Sequence, residues 1–306
     1  MFWIVGLSLV YLLGLLAIAW ISLHPYRIPI YISPESLGAE QSDVAIESDG
    51  ETLRGWWIEA PGAESAMILA HGYMMNRCEL TPEAFQLWRR GVSCLLLDLR
   101  AHGKSGGKRC YLGNRERWDI VAAVTEVRRR APHARIGLYG SSMGAAACAL
   151  AMGDDPKLAD VLVLDSCYSR LHRAINGWWR FLGGNLLMAI LSPSVVLCAP
   201  MAGFNPFRID VSRSLAKLEG VPVLFLHGTE DNLATPGEAQ RNVDATPGPK
   251  NVVWFERSGH SEGRFHEPAR YRTELFQFLV EYGFMAKPPE TDASDRDRPV
   301  RRSEKR

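Results

Sequence analysis

The chain has 306 residues, is 47% hydrophobic, and carries a formal net charge of +1 with 23% charged side chains. That length suits one large domain with appendages, and the balanced charge offers no basic field to recruit nucleic acid. The six cysteines, Cys78, Cys94, Cys110, Cys148, Cys167 and Cys198, lack CxxC or Cys/His ligand spacing, so they read as buried free thiols with no metal site and no disulfide frame.

Met1 to Leu23 carries no charged side chain. As a helix it measures about 35 Å at about 1.5 Å per residue, enough for a hydrocarbon core of about 30 Å, so a single-pass transmembrane anchor is expected over 1–23. A cleaved signal peptide is the competing reading, but the segment has no Lys or Arg before the apolar run and the run is long for that role. Residues 24–41 read as a linker. Arg27 and His24 on the C-terminal flank place the main domain on the cytoplasmic side by the positive-inside bias.

Short apolar runs then alternate with helical stretches across 42–285, the rhythm of a mainly parallel α/β sheet flanked by helices. Residues 43–60 form a hairpin turning at Asp49 and Gly50. The runs SAMILAHG, VSCLLLDL, IGLYG, ADVLVLDS, VPVLFLHG and NVVWFERSG follow as buried strands. Helices are expected over 79–90, 117–130, 143–152, 237–243 and 267–282. Some fifty residues separate the sixth strand from the seventh, too many for one crossover helix, so a helical cap is expected over about 168–218. Its apolar stretch INGWWRFLGGNLLMAILSPSVVLCAP suits a lid over an apolar pocket, with Trp178, Trp179 and Leu187 as candidate lining. Residues 286–306 mix Pro with both charge signs and few apolar side chains, the composition of a disordered tail.

Within IGLYGSSMGAAACAL, Gly140, Ser142 and Gly144 form GxSxG. That pattern alone arises by chance in roughly one chain in six at this glycine content, so context decides. Here a strand ends at Gly140 and a helix of small residues opens at Met143, the sharp turn that exposes a serine hydroxyl. A serine needs an imidazole to take its proton and a carboxylate to orient that imidazole. His260 in SGHSE and Asp231 in HGTEDN lie in loops just after strands and in the chain order serine, acid, histidine. Asp165 is the second candidate acid and His266 the second candidate base, while His71, His102 and His227 read as loop braces. The N–H groups of Met143 and Tyr73 are candidate oxyanion donors.

With these residues assembled, the chain resembles the alpha/beta-hydrolase superfamily, in particular its serine-aminopeptidase-like and Bem46-like branch with an N-terminal membrane segment. AHGYMMN, LDLRAHGKSGG, GLYGSSMGAA, LFLHGTEDNLATP and SGHSE look like the successive motifs of that branch. The resemblance implies the alpha/beta-hydrolase fold, a Ser142–His260–Asp231 catalytic triad, a structural turn at Asp98, Arg100 and Gly103, and hydrolysis without metal or organic cofactor. The expected function is a membrane-anchored serine hydrolase that cleaves an acyl ester or thioester of a lipid-like substrate, with the bilayer as its other partner. A peptidase or amidase of the same fold is the alternative enzyme, and a noncatalytic membrane-bound scaffold is the alternative of another class.

Overall fold

The computed structural model describes residues 2–287, and positions 288–306 of the expected tail lie outside them. In chain order the elements are α1 (Phe2–Leu23), β1 (Ser42–Ser48), β2 (Glu51–Ile58), β3 (Ser65–Ala70), α2 (Thr81–Trp88), β4 (Ser93–Asp98), α3 (Glu116–Arg130), β5 (Arg135–Ser141), α4 (Met143–Asp154) and β6 (Val161–Asp165). Then follow α5 (Leu171–Leu191), α6 (Ser194–Ala202), α7 (Val211–Leu215), β7 (Val223–Gly228), α8 (Pro236–Ala245), β8 (Lys250–Phe255), α9 (Gly263–His266) and α10 (Pro268–Glu281). The five helices expected outside the cap lie within two residues of their expected bounds.

One eight-stranded sheet has the order β1-β2-β4-β3-β5-β6-β7-β8. Only β2 runs against its neighbours. The turn between β1 and β2 is the two-residue hairpin expected, with Asp49 at φ 49° and Gly50 at φ 80°, the pair of left-handed residues that matches strand twist. The chain crosses from β3 outward to β4 and then back over β3 to β5. The loops after β3 and β5 therefore emerge side by side at the carboxyl edge, the crevice where open α/β sheets bind ligands.

Alternate side chains of the strands feed two cores. Ile68, Leu95 and Leu138 face α3, α4 and α7, whereas Met67, Leu96 and Tyr139 face α2 and α10. Being buried on both faces, the central strands read as unbroken apolar runs.

The cap is α5 and α6 with the short α7, inserted between β6 and β7 as expected. The axes of α5 and α6 differ by 84°. Within α5 the helix breaks at Gly183 and Gly184 (φ 71°, ψ −169°), backbone that only glycine adopts readily.

Segment 24–41 is docked onto the domain. Arg27 donates to the carbonyls of Gly103, Ser105 and Gly107, Asn76 Nδ2 donates to those of Ile28 and Pro29, and Ile30 and Ile32 pack on the α2/α10 core. Above it, Leu15, Ala19 and Leu23 form the buried stripe of α1 at intervals of four residues. The stripe lies along α6, and most of the remaining α1 surface is exposed.

Candidate active site

Ser142 stands between β5 and α4 with φ 50° and ψ −109°, a strained conformation for a residue with a side chain. Its N–H donates to Asp165 O at 2.8 Å. The turn depends on close approach: a Cβ on Gly144 would collide with the backbone of Ala70, and one on Gly140 with that of Ala145. Small residues therefore let α4 sit directly over the ends of β3 and β5 and push the Ser142 hydroxyl out of the sheet.

The structure brings the three candidate side chains together from three loops. His260 Nε2 is 2.8 Å from Ser142 Oγ, and His260 Nδ1 is 2.7 Å from Asp231 Oδ2. A carboxylate only accepts, so Nδ1 carries the proton and Nε2 is left to accept from the serine. Asp231 is buried, and its Oδ1 accepts from the N–H groups of Leu233 and Ala234 at 2.8 Å each. Those bonds fix the carboxylate, which fixes the imidazole.

The other candidates lie elsewhere. Asp165 accepts from the Tyr271 hydroxyl at 2.8 Å and pairs with Arg264 at 3.2 Å. His266 reaches Ser258 at 3.2 Å. His71 accepts the N–H of Leu99 and donates to Gly72 O. His102 accepts from Met74 N–H and donates to Arg100 O. His227 donates to Ala234 O. Burial pushes the pKa of all three bracing histidines down, that of His102 to about 3. Asp98 accepts from the N–H groups of Arg77 and Lys104, and Arg100 pairs with buried Asp119 at 2.7 Å, so this turn is structural. All six cysteines are free and buried.

A cavity of about 310 Å³ opens beside Ser142 and His260. Tyr73 and Met143 line it, and a Cβ on Gly72 would stand 3.5 Å from that of Ser142, so the loop after β3 sits against the serine. Trp178 and Trp179 line it. Leu187 does not: it lies beyond the Gly183–Gly184 break, which carries the second half of α5 away from the cavity. Hydrophobicity alone gave no sign of that change in direction.

Several lining groups escaped the sequence. Ser22 of α1 and Tyr31 of the docked segment contribute walls. Glu79 and Arg264, 185 residues apart, form a 3.0 Å ion pair under the site. Glu79 also accepts from Gly72 N–H at 2.6 Å and from the Ser141 hydroxyl at 2.8 Å, and Arg264 Nε donates to Ser261 O. One buried pair thus ties the loops bearing Tyr73, Ser142 and His260. Burial works to raise the Glu79 pKa, but Arg264, the Gly72 N–H and Ser141 outweigh it and hold the carboxyl below its usual value. No cluster able to hold a metal ion occurs among the described residues.

The chain has the alpha/beta-hydrolase fold. The family described as Hydrolase_4, serine aminopeptidase S33, matches residues 61–200. The chain is 25% identical over 243 residues to the uncharacterized protein YqkD of Bacillus subtilis, covering 75% of this chain and 76% of that one. The esterase Pf2001 of Pyrococcus furiosus superposes with a TM-score of 0.70 at 26% identity, over 85% of this chain and 98% of the esterase. Est1E of Butyrivibrio proteoclasticus, solved with ferulic acid, shares the fold at a TM-score of 0.59 and 19% identity, over 76% of this chain and 97% of its own. The fold and its esterase neighbours support hydrolase activity.

Proposed function

We propose that the protein is a membrane-anchored serine hydrolase that cleaves acyl esters or thioesters. The observation that carries this reading is the chain of contacts from Ser142 Oγ to His260 Nε2 at 2.8 Å and from His260 Nδ1 to Asp231 Oδ2 at 2.7 Å. Ser142 Oγ attacks the acyl carbonyl carbon while its proton passes to His260 Nε2. The oxyanion rests on the N–H groups of Met143 and Tyr73, a kind of stabilisation worth about 3 to 4 kcal/mol per donor in comparable sites. The C–O or C–S bond then breaks, and His260 returns the proton to the departing alcohol or thiol. Water attacks the acyl-enzyme with His260 as base, the acid leaves, and Ser142 recovers its proton.

The apolar walls supplied by Leu171, Ile175, Trp178 and Trp179 favour an acyl chain, and the relative from Pyrococcus furiosus is an esterase by name. The family description favours a peptidase as second reading, which calls for a free carboxylate to hold an amino terminus. Glu79 is the carboxylate lining the cavity, and it is engaged by Arg264.

Anchoring rests on the length and apolarity of α1. Its last turn is also built into the domain: Tyr73 donates to Ser22 O at 3.0 Å and Cys110 N–H to Leu23 O at 2.8 Å. We place the domain on the cytoplasmic side; a reporter after Arg306 active only in the exported compartment overturns that placement.

The test is a series of p-nitrophenyl esters from acetate to palmitate beside amino-acid p-nitroanilides. Ester turnover that varies with chain length is expected. Turnover of anilides alone would replace this reading with the peptidase.

A further inference from the structure

We infer that the cap is itself immersed in the bilayer beside α1, and that the acyl substrate enters the cavity sideways from that leaflet. The inference rests on the anchored-hydrolase reading and adds where the substrate comes from.

The geometry of α1 requires immersion. Tyr11 donates to Ile190 O of the cap at 2.5 Å, and Tyr11 is at the middle of α1, about 18 Å along the helix from Leu23. Residues 2–10, the part beyond that contact, measure about 14 Å, roughly half of a hydrocarbon core of about 30 Å. A helix that spans must therefore take the cap in with it.

The cap's surface suits that environment. Residues 181–207 carry no Asp, Glu, Lys, Arg or His. Phe181, Leu182, Leu186, Ile190 and Val196 are exposed, Leu186 to 74%, and they continue the exposed apolar surface of α1 through the contact with α6. A patch of this kind on a soluble protein marks an interaction site. Here its continuity with the spanning helix identifies the occupant as lipid acyl chains. The axes of α5 and α6 meet at 84°, and outside the break at Gly183–Gly184 the cap backbone is mainly helical, so most of its polar groups are satisfied internally as hydrocarbon demands.

The route to the serine follows from what borders the cavity. Ser22 of α1 and Trp178 of α5 both line it. Tyr73 meets Trp178 edge to face at 5.7 Å between ring centroids, and Trp178 stacks on exposed Phe181 at 6.0 Å. An aromatic path thus runs from the lipid-facing cap to the wall beside Ser142.

Spin labels test the immersion in the full chain reconstituted into phosphatidylcholine bilayers. The six native cysteines are buried, so labels go to Leu186→Cys and Val196→Cys on the cap, Leu9→Cys on α1 and Glu219→Cys at the far edge of the sheet. Immersion predicts relaxation by oxygen over a water-soluble nickel chelate at 186, 196 and 9, with the reverse at 219. Preference for nickel at 186 and 196 with preference for oxygen at 9 overturns cap immersion and leaves the anchor standing. Preference for nickel at 9 overturns the anchor and this inference together.

A Leu186→Glu/Val196→Glu variant tests the route. It should lose at least tenfold in turnover of a bilayer-resident acyl lipid and stay within twofold on a soluble short-chain ester. Equal turnover losses on both substrates, or none on the lipid, overturn lateral entry. A wild type that cleaves neither substrate overturns the esterase reading and the route with it, while the labels still decide immersion.

Discussion

The Tyr73 phenol donates to the carbonyl of Ser22 at 3.0 Å, so the loop beside the candidate nucleophile and the last turn of the apolar helix form one wall. Helix ends leave carbonyls without intrahelical partners, and the domain supplies partners for Ser22 and Leu23. Burial pushes the Tyr73 pKa well above its usual value, so the phenol stays a donor. Tyr73→Phe keeps the ring contacts with Trp178 and His102 and should cost about 1 kcal/mol of stability. Urea unfolding in detergent checks this, and an unchanged midpoint would show that the bond contributes nothing.

His260→Ala and Asp231→Asn should each lower kcat for ester hydrolysis by about 10³-fold or more with little change in KM, because in the proposed mechanism His260 takes the serine's proton and Asp231 orients His260. In Asp231→Asn the amide cannot select the Nδ1–H tautomer in the way a carboxylate does. Steady-state kinetics on a short-chain ester decide it. Retention of kcat within tenfold by either variant would remove that residue from the mechanism.

Arg264 is buried between Glu79 and Asp165. Arg264→Ala leaves both carboxylates without their cation and should cost about 3 to 5 kcal/mol in unfolding free energy. Adding Glu79→Gln removes one stranded charge, so the double variant should be more stable than Arg264→Ala alone. Urea titration of the set checks the coupling. Additive losses would mean that the pair does not act as a unit.

The pKa of His102 falls from its ordinary 6.5 to about 3 in the folded chain, chiefly through burial and secondarily through neighbouring His71. The unfolded chain therefore binds the proton first, so this contribution is present above pH 6.5 and is lost as the pH falls toward 3. Between pH 7 and pH 4.5 the loss attributable to this group is about 2 to 3 kcal/mol. His102→Gln, compared with wild type by urea unfolding at both pH values, isolates it. A difference between the two proteins that stays constant across that range would contradict the assignment.

The parts of the site legible in the sequence were those written in local pattern. Apolar runs closed by glycine marked the strands, the small residues after Ser142 marked the tight strand-to-helix turn, and Asp231 and His260 followed strand ends. What stayed hidden depends on distant packing. Glu79 and Arg264 meet only because the sheet order brings the loops after β3 and β8 to one edge. Residues Leu186 to Leu191 beyond the Gly183–Gly184 break are all apolar, while the break turns Leu187 off the cavity. The docking of Tyr31 and Ser22 had no signal in a segment that reads as anchor and linker.

Covalent labelling with a fluorophosphonate, read by mass spectrometry of the digested full chain, reports whether Ser142 is the activated nucleophile. A Ser142 nucleophile gives one adduct, on the peptide containing Ser142, absent in Ser142→Ala and formed at least 10²-fold more slowly in His260→Ala. An adduct on another residue, or ester turnover that persists in Ser142→Ala, would contradict it.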